Sequence, residues 1–180
     1  MVSFFLWSCA ASPEYPTGLR PAVEKLYISC RDLENVRSEI LGLSQGYLYR
    51  EGDSLYPIHA AAGLLQQANL AALSQWKLLS ITDYIREKSR EDFFTLRLAD
   101  LRQSRREAAH LLLLLPVYEN AMPDPHLLSL VAEGRRLIRV QIELYDELIQ
   151  QLKPLSPAGP PWTWPPRQPP DPPGSNGGSA

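Results

Sequence analysis

Cysteine is scarce in this chain of 180 residues, and the two present cannot build a disulfide framework or a zinc finger. No apolar run reaches the roughly 18 residues that a membrane-spanning helix needs. Charge of one sign is not in excess: 18 Lys and Arg stand against 20 Asp and Glu, a net charge of −2. That balance argues against a nucleic-acid binder held by bulk electrostatics. Between Gly63 and Pro116 there is no other Gly and no Pro. Alternating apolar and polar stretches of strand length are lacking, and so are Asn-Gly or Asp-Gly hairpin signals ahead of the C-terminal tail. These absences leave an all-α domain, long enough to bury a core, with unusual ends.

Composition divides the chain into three zones. Residues 1–16 are apolar and then punctuated by proline, and residues 17–153 hold most of the charge and nearly all the leucine. Residues 154–180 contain ten of the 17 prolines and four of the ten glycines, a composition that reads as a disordered tail with polyproline II bias.

Within the middle zone four helices are expected, arranged as an up-down antiparallel bundle. The first should run from about Pro21 to Leu43, with Val23, Leu26, Cys30, Leu33 and Ile40 on one face, Arg37 interrupting it, and Gly42 and Gly46 marking its end. The second should begin near Pro57, with Asp53 or Ser54 as its cap. Ile58, Ala61, Leu65, Ala68, Ala72, Trp76 and Leu79 form its stripe, and the small residues between His59 and Ala72 allow a partner helix to come close. The stripe fails between Ile85 and Phe93. Either a tight turn near Lys88–Ser89 starts a third helix, or one solvated helix of about 60 residues continues through. The third segment carries Phe93, Phe94, Leu96, Leu98, Leu101, Ala108, Leu112 and Leu115; its run Leu111–Leu115 should be buried, and Pro116 should begin its termination. Asp124 followed by Pro125 is a cap and first turn for the last helix. That helix steps along Leu127, Val131, Gly134, Ile138, Tyr145, Leu148 and Leu152.

The N-terminus reads Val-Ser-Phe-Phe-Leu-Trp-Ser-Cys, with Leu6 three residues before Cys9 and the small Ser8 just before it. This resembles the end of a bacterial lipoprotein signal peptide, although the basic start and longer apolar stretch of that pattern are missing. The resemblance covers nine residues. It implies a lipid on Cys9, a tether over residues 10–16 and a bundle held in the cell envelope. Ala10, where some lipoproteins have Asp, would by the same analogy direct it to the outer membrane. Cys30, on an apolar stripe, is expected to be a packed thiol.

Signals of chemistry are few. Glu107 and His110 make one Glu-x-x-His spacing, which sets both on one helix face, as in ferritin-like di-iron bundles. No second such motif occurs, and Arg105 and Arg106 precede this one, so no metal is expected there. There is no Gly-x-Ser-x-Gly elbow and no Gly-rich phosphate loop. Carboxylates alternate with Arg and Lys, as in Glu143 with Arg139, which is the pattern of a solvated face. The most basic stretch holds Arg97, Arg102, Arg105 and Arg106 and is a candidate contact for an acidic partner or lipid headgroups. Trp162 and Trp164, set among prolines, are candidate anchors for a partner protein. The expectation is a non-enzymatic bundle without cofactor, tethered to a membrane by lipid, with a structural or interaction role. Its rivals are a cytoplasmic helical adaptor and a metal-binding bundle.

Overall fold

The computed structural model describes residues 19–47, 55–81 and 87–155. They form four helices, α1 (Leu19–Tyr47), α2 (Tyr56–Ser80), α3 (Glu87–Glu119) and α4 (Pro125–Leu152), followed by a 3-10 turn at Lys153–Leu155. No strand occurs among the described residues. Cys9, Trp162 and Trp164 lie outside them.

Contacts between neighbours set the topology. Glu34 accepts from Asn69 at 3.2 Å, while earlier in α1 the Tyr27 ring meets Trp76, later in α2, at 4.6 Å. The two helices are therefore antiparallel. Gln75 donates to Ser104 at 3.1 Å and Tyr56 meets Tyr118, which orients α2 against α3 in the same way. Arg105 with Asp146, and Glu119 with Arg135, do so for α3 and α4. Cys30 with Gln141, and Tyr47 with Asp124, close the ring between α1 and α4. The result is the expected up-down bundle.

The apolar stripes of α1, α2 and α4 supply the core as their spacing predicts. Leu26, Leu33 and Ile40 of α1 are fully buried, as are Ile58 and Leu65 of α2 and Leu127, Val131, Ile138 and Leu148 of α4. Burying each such side chain contributes roughly 1.5–3 kcal/mol.

Several boundaries differ from the expectation. α1 runs through Gly42 and Gly46 to Tyr47. Each glycine weakens the helix by about 1 kcal/mol relative to alanine, but Ser44 and Tyr47 are buried beyond Gly42, and the Tyr47 hydroxyl donates to Asp124 at 2.7 Å. Tertiary contact outweighs propensity there. α2 has Leu55 at its N-cap, with no side-chain cap, and the expected caps Asp53 and Ser54 lie outside the described residues. α2 ends at Ser80 and α3 begins at Glu87, so the break precedes Lys88–Ser89, and a single continuous helix is excluded by the packing of α2 on α3. Leu79 is the last buried residue of α2 among the described residues.

Pro116 lies inside α3, which continues to Glu119. That last turn is held by Arg135, whose Nη1 donates to Glu119 at 2.8 Å. The five-leucine run is divided by the helical period: Leu111 and Leu115 are buried, whereas Leu113 faces solvent. Leu96 is exposed for the same reason. One helix of a four-membered ring has a single inward face, and a run apolar all round must leave some of itself outside.

Candidate functional site

Glu107 and His110 do share one face of α3. With Gln67 of α2 and Gln103, Arg106 and Leu111 of α3 they line an open groove of about 380 Å³. Gln103 organises it, donating through its amide nitrogen to Glu107 at 2.7 Å and accepting from Arg106 at 2.7 Å. The Glu107 carboxylate is thus tied to an amide beside a guanidinium. Among the described residues no group of three or more His, Cys, Asp or Glu is placed to hold a metal ion.

The basic stretch is divided among four settings. Arg97 is tucked against α3 itself, 2.9 Å from Asp100 and over the Phe93 ring at 5.4 Å. Arg105 reaches across to Asp146 of α4, Arg106 belongs to the groove just described, and Arg102 is exposed. Arg105 and Arg106 stand three and four residues from Arg102 and so neighbour it on α3, while Arg97 and Arg105 are each paired with a carboxylate.

Cys30 is buried, and loss of solvent pushes its thiol up to about 12. A thiol so reluctant to ionise is a poor nucleophile. The Gln141 amide nitrogen lies 4.0 Å from its sulfur.

At the end of the bundle around Tyr47 a polar cluster joins α1 to α4. Asp124 caps α4 by accepting from the backbone N–H of His126 at 2.6 Å, and its other oxygen accepts from Tyr47 at 2.7 Å. These two bonds, that of Tyr47 first, hold the Asp124 carboxyl below its ordinary value. His126 in turn lies 3.4 Å from Glu39, both exposed. Because the folded pKa is lower than the unfolded one, Asp124 adds stability above the ordinary carboxylate pKa of about 3.9, and the gain is lost as pH falls through the folded value. Asp124→Asn keeps an acceptor for the cap but cannot titrate, so it should flatten the acid limb of the melting-temperature profile. An unchanged slope between about pH 5 and pH 2 would show that other carboxylates control acid unfolding.

What sequence reasoning did not single out is a set of large apolar side chains left in solvent. Leu113 is 75 % exposed, Tyr56 72 %, Val117 64 % and Leu70 58 %. Leu113 and Val117 are one turn apart on α3, and Tyr118, beside Val117, meets the Tyr56 ring of α2 at 6.1 Å. A signal existed: α2 has no Asp, Glu, Lys or Arg from Tyr56 to Trp76, so its outward side cannot be a charged one. A second groove, of about 260 Å³, lies between α1 and α4, with Ile28, Val140 and Leu144 as its apolar floor and Lys25, Asp32 and Arg136 at its rim. No helix among the described residues is long and apolar enough to cross a membrane. Comparison with protein families, with characterised proteins and with solved structures finds no match to this chain.

Proposed function

We propose that this protein is a non-enzymatic helical bundle that works by binding other proteins while held at a bacterial envelope membrane by lipid on Cys9. The observation that carries the interaction role is the apolar face on α2 and at the end of α3, where Tyr56, Leu70, Leu113 and Val117 stand in solvent. Side chains of that size left bare on a bundle with a well-filled core are the ordinary mark of a protein contact. The Pro-rich tail, with Trp162 and Trp164, offers a second contact for the same work. The anchor is supported by Leu6, Ser8 and Cys9 in lipoprotein-like order. Multiple acyl chains on one residue attach a protein stably without any spanning helix.

Fractionation of cells tests the anchor. Full-length protein expressed behind a complete lipoprotein signal should sediment with membranes, and Cys9→Ala should move it to the soluble fraction. If the mutant fractionates as the parent does, the lipid anchor is wrong.

A further inference from the structure

The outward side of α2 differs from the rest of the molecule. α1, α3 and α4 each carry both acids and bases, whereas α2 carries neither between Tyr56 and Trp76. Along that stretch Tyr56, Gly63 and Leu70 recur every seven residues, which sets them on one line down the helix. All three are exposed. A Cβ added at Gly63 would meet nothing within 4 Å. A solvent-facing glycine in mid-helix weakens the helix, and no contact among the described residues requires it. A second helix crossing at that point does require it, because axes approach closely only where side chains are small.

We propose that this face is a dimer interface, with α2 packed antiparallel on α2 of a second copy and crossing it at Gly63. The proposal rests on reading the apolar face as an interaction surface and names what covers it. Gly63 stands seven residues from both Tyr56 and Leu70. A two-fold axis through Gly63 therefore sets Tyr56 against Leu70 of the second copy, and Leu70 against Tyr56 of the second copy. Such self-matching is the requirement of a two-fold interface.

Charge favours the same occupant. A face with net charge repels its own image across a two-fold axis, and this one has no Asp, Glu, Lys or Arg to do so. An acidic or basic partner would find no counter-charge, and a lipid surface would find none of the Lys and Arg that interfacial helices use. A polar rim is present: Arg37 donates to Gln66 at 3.2 Å on the α1 side, and the groove of Gln67, Arg106 and Glu107 lies on the α3 side. The area is adequate. The uncharged stretch is about 31 Å long at 1.5 Å per residue. With the neighbouring turn of α3 the face is roughly 20 Å wide, hence on the order of 600 Å² per copy. That equals the lower end of standard interfaces, which bury about 600–1,000 Å² per partner, and so implies a dimer that dissociates on dilution.

The test uses the full chain carrying Cys9→Ser, which removes acylation and leaves only the buried Cys30. Sedimentation equilibrium should show the mass rising up to twofold with concentration, and Leu70→Glu should hold it at that of one chain with an unchanged circular dichroism spectrum. Gly63→Cys should cross-link to a dimer under copper–phenanthroline oxidation, whereas Gly42→Cys, on the solvent side of α1, should not. A chain that stays monomeric at every concentration, or cross-links equally at both positions, overturns the dimer. Two further readouts separate the failures. If the chain is monomeric and Leu70→Glu abolishes capture of another protein, the second copy is wrong and the interaction reading stands. If Leu70→Glu instead abolishes binding to phosphatidylethanolamine–phosphatidylglycerol vesicles, the face is a membrane face and both are wrong. A monomer in which Leu70→Glu changes neither readout also overturns both.

Discussion

Gly134→Val is expected to destabilise the bundle by about 3 kcal/mol, a large share of the 5–15 kcal/mol typical of a domain. A Cβ built on Gly134 of α4 would sit 2.7 Å from both terminal methyls of Leu65 of α2, and Leu65 is fully buried. α2 and α4 face each other across the diagonal of the bundle, and this is where they touch. The glycine lets Leu65 fill the centre. Leu65→Ala alone should cost roughly 2–5 kcal/mol through the cavity it opens. The double variant should cost less than the sum by about 0.5–3 kcal/mol, since the valine enters the space the leucine leaves. Urea denaturation of the four proteins measures the coupling. Strict additivity would mean that the two residues are not in contact.

The opposite sign is expected at Gln141. It is fully buried on α4, and its amide nitrogen finds only the Cys30 sulfur, at 4.0 Å, a weak acceptor. Its amide oxygen has no hydrogen-bond partner among the described residues, and neither has the hydroxyl of Tyr145, one turn further on. A buried polar atom left unpaired costs about 1–3 kcal/mol. Gln141→Leu, which nearly conserves volume, should recover an amount of that order and raise the melting temperature by several degrees. A fall in melting temperature would mean that the amide makes bonds the leucine cannot replace.

Gln141 also shows where the sequence was legible and where it was not. The seam of α4 was readable because Leu127, Val131, Ile138, Leu148 and Leu152 are apolar at helical spacing, and each is buried. Position 141 lies on the same seam, between Ile138 and Tyr145, but a polar side chain there carries no hydrophobic signal. The Asp124–Pro125 start of α4 was legible for a different reason, because capping is local chemistry that needs no tertiary contact. The ends of α1 and α3 were misread at Gly42, Gly46 and Pro116, where local weakness is overridden by Tyr47 on Asp124 and by Arg135 on Glu119. Those pairings join residues far apart in the chain, and periodicity cannot reveal them. The exposure of Leu113 followed from the same gap: the apolar run was visible, but which of its faces points outward depends on how α3 is set in the ring.

An even number of antiparallel helices has a consequence for orientation. The chain enters the bundle at Leu19 and leaves it at Leu155 at the same pole, while Tyr47 and Asp124 mark the other. α1 is 29 residues long, so the two poles are separated by about 44 Å. A lipid on Cys9 would hold the entry pole at the bilayer, and the Pro-rich tail would begin there too, close to the headgroups. The distal pole would then stand tens of ångströms into the surrounding compartment, a post presenting the end of α3 and the start of α2 at its far tip.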